Sequence, residues 1–232
     1  MLYTIEKLTK TYGEGEAKIT ALDGIDLEIP PNKIVAILGA SGSGKSTLLN
    51  ILGCMDLPTA GAALFKGEDI TRLNKKQMTE FRRKNIGFVF QSYNLLPDLT
   101  ALENVEFSTE LAGISSSEAR NAMDLVGLSE RLNNFPKQLS GGEQQRVSIA
   151  RAIAKKPEVL LCDEPTGALD LNTGIKVLDV LVNIHKQNGT SVLLITHNSN
   201  IAAIADIVIS LRSGKIANVQ QNTPIPVSEV EW

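Results

Sequence analysis

The sequence predicts an α/β fold with a largely parallel central sheet, and three observations carry that prediction. Short β-branched runs recur along the 232 residues, and helical patterns separate several of them, the rhythm of a parallel α/β sheet. Three of the runs are apolar throughout rather than alternating, as strands covered on both faces should be. One of these leads straight into a glycine-rich loop and then a helix, the setting of a phosphate cradle.

In chain order, the first strand signals are residues 25–29 and 34–38. Asn32-Lys33 stands between them, and Asn tolerates a left-handed backbone second best after glycine, so a turn there is expected to hold. The next strand signal is 86–90. Residues 97–156 then carry no convincing strand but at least three helical patterns. The clearest opens at Ser115-x-x-Glu118, read as a capping box, continues through Ala119, Ala122, Met123 and Val126, and closes at Gly127. This block is expected to be a helical subdomain inserted into the α/β core, too short and too poor in heptads for a coiled-coil arm. Strand signals return at 159–162, 192–196 and 207–211. From Gln220 the sequence is polar and aperiodic, with Pro224 and Pro226, and a loosely ordered tail is expected in which Trp232 could dock. The expected organisation is one domain: core at 1–96 and 157–219, helical insert at 97–156, tail at 220–232.

Composition narrows the function classes. With 23 Lys+Arg against 26 Asp+Glu, the chain has no general electrostatic drive toward nucleic acid. Lys75-Lys76 and Arg82-Arg83-Lys84 read as solvated helix faces. Cys54 and Cys162 sit among apolar neighbours and read as buried, reduced thiols. The N-terminus lacks the apolar core of a signal peptide, and no stretch is long enough to span a bilayer. A soluble protein is expected, with any membrane role supplied through a partner.

The site begins with Gly39-Ala40-Ser41-Gly42-Ser43-Gly44-Lys45-Ser46-Thr47, which matches G-x-x-x-x-G-K-S between a strand and a helix. Such glycines let backbone N–H groups form a cradle for phosphate oxygens. Lys45 would reach the β- and γ-phosphates of ATP, and the Ser46 hydroxyl would ligate Mg²⁺. Val159-Leu160-Leu161-Cys162-Asp163-Glu164 ends an apolar strand in two carboxylates. Asp163 suits the Mg²⁺ shell, and Glu164 is placed to polarise an attacking water. Gln91 and His197 each follow a strand. Gln91 can reach metal and water, and His197 can hydrogen-bond the γ-phosphate, although alone either would be an ordinary loop or structural residue. Tyr12 can stack on adenine, with an edge-strand aromatic as the alternative. His185 lies in a polar helix and carries no assignment.

Leu139-Ser140-Gly141-Gly142-Glu143-Gln144-Gln145-Arg146 precedes an amphipathic stretch. Ser140 and Glu143 have the capping-box spacing. Two glycines in a first helical turn each cost about 1 kcal/mol relative to alanine, so a second purpose is expected. Close approach of an anion to the helix end would supply it.

Tyr12, the 39–47 loop, Gln91, the Leu139–Arg146 run, Asp163-Glu164, Ala168-Leu169-Asp170 and His197 occur in the order seen in ATP-binding-cassette nucleotide-binding domains, which this chain resembles over almost its whole length. The resemblance implies a P-loop NTPase core with an antiparallel β subdomain as well as the helical insert. It implies ATP and Mg²⁺ as cofactors and a head-to-tail homodimer, in which Ser140, Gly141 and Gly142 of one copy meet the γ-phosphate held by Lys45 of the other. Asp170 would carry communication across the dimer, and Gln91 would link the site to a membrane subunit. Gly87-Phe88-Val89-Phe90-Gln91, Asn94-Leu95-Leu96-Pro97, Leu99 to Val105, Pro165 to Asp170 and the inserted residues 13–20 resemble the branch of macrolide-exporter and lipoprotein-release ATPases. That implies a separate permease with a large extracytoplasmic domain, a place on the cytoplasmic face of the membrane, and an adaptor of the membrane-fusion type as a further candidate partner. Nucleic acid is not expected. An importer subunit is the alternative, and a non-transport ATPase of DNA repair or translation ranks below it. Cys162 and Asn32-Lys33 depart from the family's usual residues without touching the catalytic set, so an active ATPase is expected.

Overall fold

The computed structural model describes residues 1–230. A four-stranded antiparallel sheet contains β1 (Tyr3–Tyr12), β2 (Ile19–Ile29), β4 (Ala60–Phe65) and the two-residue β5 (Glu68–Asp69), in the order β2-β1-β4-β5. A six-stranded sheet contains β3 (Ile34–Leu38), β6 (Ile86–Val89), β7 (Val159–Asp163), β8 (Ser191–Thr196), β9 (Ile207–Arg212) and β10 (Lys215–Gln221), in the order β10-β9-β3-β8-β7-β6. All its pairings are parallel except the hairpin β9–β10. The helices are α1 (Lys45–Leu52), α2 (Lys75–Asn85), α3 (Ala101–Ala112), α4 (Ser117–Leu125), α5 (Gly141–Ile153), α6 (Leu171–Asn188) and the short α7 (Ser199–Ala202).

The continuous apolarity of the central strands has the expected cause. Val35, Ile37, Leu161, Leu193 and Ile195 face one core with α1 and the antiparallel sheet. Their neighbours Ile34, Ala36, Leu160, Cys162, Val192 and Leu194 face a second core built with α3 to α6. Each strand is buried on both faces, and each of the buried Val, Leu and Ile side chains contributes roughly 1.5–3 kcal/mol. Asn32 takes φ +55 and the turn into β3 holds. Both thiols are buried, and burial pushes the Cys54 thiol up to about 12.

Three readings change. β1 and β4 gave no strand signal, because β1 is only partly covered and carries a bulged register around Lys7, and β4 is mostly small residues. The capping box at Ser115 and Glu118 does not form. Helix α4 starts at Ser117, whose N–H donates to Ser115 Oγ, and Glu118 pairs instead with Lys156 at 3.0 Å. The segment from Gln220 is not loose. Gln220 and Gln221 extend β10, Asn222 Nδ2 donates to the carbonyls of Ala203 and Ala205, and Val227 and Val230 are buried in the core beside α6. A strap held at such separated points needs no amphipathic period, so its docking left no pattern. Trp232 lies outside the described residues.

Candidate functional site

The strand order β3-β8-β7-β6 brings four loops into a row at the carboxyl ends of parallel strands, where open α/β sheets hold ligands. The phosphate loop follows β3, His197 follows β8, Asp163 ends β7 with Glu164 next, and Gln91 lies two residues past β6.

Gly44 shapes the loop. Its φ is +101, and a Cβ would come within 2.3 Å of the Ala21 carbonyl oxygen, so only glycine fits there. Helix α1 starts at the next residue with no side-chain cap, so its first N–H groups lack an intrahelical partner next to the loop. Lys45, nearly buried, donates through Nζ to the carbonyls of Gly39 and Ala40 at 2.7 and 2.9 Å. Ser41, Gly42, Gly44, Lys45, Ser46 and Thr47 line an open cleft of about 290 Å³ that Glu164 closes on one side. Larger clefts of about 470 and 530 Å³ lie elsewhere. A cradle built from backbone amides on an open loop does not depend on enclosed volume.

Burial raises the Asp163 carboxyl above its ordinary range, and a hydrogen bond with the Ser46 side chain opposes that shift. A hydroxyl and a carboxylate side by side are hard oxygen donors of the type Mg²⁺ prefers. Among the described residues no group of three His, Cys, Asp or Glu could hold a metal alone. The donor set therefore fits Mg²⁺ arriving with phosphate oxygens, which usually complete its shell.

Glu164 has a left-handed backbone, φ +46, a conformation that a non-glycine residue holds only where its surroundings impose it. Its Oε2 lies 3.2 Å from His197 Nδ1. A Cβ added to Gly167 would stand 3.1 Å from Gln91 Nε2 and 3.2 Å from Glu164 Oε2, so these two side chains converge on one point. A backbone cradle, a lysine, two carboxylates, an amide and an imidazole in this row can bind a phosphate chain and orient a water against it.

The remaining expected residues lie apart from that row. Tyr12 ends β1 at 42% exposure and donates through its hydroxyl to Asp56 Oδ2 at 3.0 Å. Asp56 also accepts from Lys10, whose Nζ stands 4.9 Å from the Tyr12 ring. Neither Asp56 nor Lys10 carried a sequence signal, since Asp56, which holds both Lys10 and Tyr12, lies more than forty residues further along the chain. Ser140 forms the full capping box with Glu143. Gly142 has a reason inside the chain besides any ligand: a Cβ there would sit 2.0 Å from Thr173 Cγ2. Among the described residues no hydrogen bond joins residues 140–142 to the phosphate loop. Asp170 caps α6 by accepting from Thr173 N at 3.1 Å. His185, unassigned from sequence, lies 2.9 Å from the Thr190 carbonyl through Nδ1 and closes the turn into β8.

A family model described as ABC transporter matches residues 22–167, more than half of the chain. The lipoprotein-releasing system ATP-binding protein LolD of Geobacter metallireducens is 44% identical over 93% of this chain and 97% of its own length. The macrolide export ATP-binding/permease protein MacB of Vibrio parahaemolyticus is 43% identical over 99% of this chain. The chain spans only 36% of that MacB protein's length. Among solved structures, the dimeric ATP-binding cassette MJ0796 in a post-hydrolysis state bound to ADP and Pi superposes with a TM-score of 0.88. It is 39% identical and covers 96% of this chain and all of its own.

Proposed function

The chain belongs to the ABC transporter family as an ATP-hydrolysing cassette of the MacB/LolD branch, and from that premise we propose that it dimerises on ATP to drive a membrane permease in export or mechanotransmission. The observation that carries the chemistry is the row of Lys45, Ser46, Asp163, Glu164, His197 and Gln91 along adjacent strand ends. Lys45 and the loop amides bind the phosphates. Ser46 and Asp163, with Gln91, would hold Mg²⁺, which neutralises phosphate charge when bound. Glu164 takes the proton of the attacking water, and His197, 3.2 Å away, orients Glu164 and contacts the γ-phosphate. Tyr12 offers its ring to the base, held upright through Asp56.

At the start of α5 Ser140 is exposed, Gly141 is half-buried and Gly142 is buried, and among the described residues none of them is hydrogen-bonded to its own phosphate loop, which suits a ligand held by a second copy. The dimeric relative supports that reading. Residues 97–156 then act as the arm that carries the signature run, with Asp170 at the dimer seam. Among the described residues no helix is long and apolar enough to cross a membrane. A peripheral position at the cytoplasmic face, held by a permease, is the placement we infer, with the kinship to MacB and LolD in its support, and an adaptor is a further candidate.

Glu164→Gln tests the chemistry. Losing a general base should slow steady-state hydrolysis by about 10²–10⁴-fold while ATP still induces a dimer on size exclusion; near-normal turnover would remove Glu164 from this role. Mixing Lys45→Ala with Ser140→Ala chains addresses the shared site, because a heterodimer retains one site with both partners intact.

A further inference from the structure

Arg151 lies near the end of α5 opposite Gly141. Its two terminal nitrogens donate to successive carbonyls of the loop after Gln91, Nη1 to Asn94 O at 2.5 Å and Nη2 to Tyr93 O at 2.9 Å. Both acceptor residues have left-handed backbones, with φ +58 at Tyr93 and +51 at Asn94. Asn accepts such a conformation readily, but Tyr93 keeps it only where its surroundings impose it. A planar guanidinium suits the task, since its fork meets two fixed acceptors at once, whereas an ammonium is a single point. The same loop touches the other end of α5, where the Tyr93 hydroxyl would stand 2.9 Å from a Cβ at Gly141. Arg151 is itself fixed, because Ser108 Oγ on α3 lies 2.8 Å from its carbonyl oxygen.

We propose that Arg151 is a positioning residue for ATP hydrolysis: by holding the Tyr93 and Asn94 carbonyls it sets where Gln91 stands and ties that position to α5. The proposal rests on the reading of Gln91 given above. Release of Arg151 frees Tyr93 to leave its left-handed conformation, and Gln91, two residues away, moves with it. Small displacements of an orienting group lower turnover while leaving phosphate binding by the 39–47 loop intact.

The test uses the full chain with Arg151→Ala, Arg151→Lys, Gln91→Ala and the two double variants, each verified as folded by its thermal transition. Amide exchange should rise in residues 92–95 of Arg151→Ala and stay unchanged in β6 and β7. The kcat of Arg151→Ala should fall about tenfold with the KM for ATP within about twofold, and Arg151→Lys should fall between it and wild type. Added to Gln91→Ala, loss of Arg151 should lower kcat by less than about a further twofold, because both changes act through one group. Unaltered exchange in the loop, or losses that multiply in the double variant, would overturn the proposal. If Arg151→Ala does not fold, Arg151→Lys and its double carry the same comparison. Wild-type turnover of Gln91→Ala would sink the reading of Gln91 and this route to catalysis with it, a failure told apart by exchange that still rises on loss of Arg151.

Discussion

At Gly142 two demands meet on one residue. A Cβ there would lie 2.0 Å from Thr173 Cγ2, so alanine forces the Thr173 side chain to move even though it favours a helix by about 1 kcal/mol. Overpacking of this kind costs about 1–3 kcal/mol, and Gly142→Ala should lower the melting temperature. Thr173→Ser removes the obstructing methyl and should restore it; an equally low transition in the double variant would count against the contact. If the double variant folds normally and still hydrolyses ATP poorly, the glycine serves a ligand as well. Sequence reasoning saw only the ligand, because Thr173 lies on another helix and the contact leaves no local pattern. The phosphate loop and the carboxylate pair were legible because their residue types and spacing are dictated by backbone geometry. That Glu164 and His197 each follow a strand was legible, but their closeness depends on the pairing of β7 with β8, which no local pattern encodes. The grip of Lys10 and Asp56 on Tyr12 was not legible, and neither was the hold of Arg151 on the 93–94 carbonyls. Such pairings are fixed only once the helices and sheets have packed.

The helix start at Ser140 was legible because Glu143 keeps Oε2 on the cap while Arg131 takes its Oε1, and the start at Ser115 was misread because Lys156 draws Glu118 away. The link between α5 and α2 gives a measurable consequence. Just past α5, Lys155 Nζ donates to the Arg82 carbonyl in the last turn of α2 at 2.8 Å, and Arg82 Nη1 donates to the carbonyl of Cys54 beyond α1. Burial, reinforced by the charge of Arg82, lowers the Lys155 ammonium to about 8. This is the reverse of a lysine that gains an ion-pair partner, since the folded value lies below the unfolded value of about 10.4. Below pH 8 both states hold the proton and the burial penalty is constant. Between pH 8 and about 10.4 only the unfolded chain keeps it, so Lys155 makes stability rise with pH. Urea unfolding should therefore show wild type gaining on Lys155→Met between pH 7.5 and pH 10. The Cys54 shift acts in the opposite direction but is common to both proteins and cancels in the difference. A difference that stays flat across that window would show that the amine is not desolvated.

On the scale of the molecule, two cores lie on opposite faces of one sheet, and the last described residues close one of them. Asn222 holds the Ala203 and Ala205 carbonyls just past α7, the helix that follows His197, while Ile225, Val227 and Val230 cover the core beside α6. Val227 and Val230 are buried there, and removing the strap uncovers the core beside α6 and leaves the Ala203 and Ala205 carbonyls without Asn222. A chain ending at Gln221 should therefore melt several degrees lower, at roughly 2–4 °C per kcal/mol lost for a domain of this size. The strap does not touch the phosphate loop, so below its new melting point the shortened chain should keep its KM for ATP within about twofold of wild type. Differential scanning calorimetry beside steady-state kinetics separates the two effects. An unchanged melting temperature would mean that residues 222–230 contribute nothing to the core they cover, whereas a large rise in KM would mean that the strap reaches the nucleotide through α7 and the His197 loop.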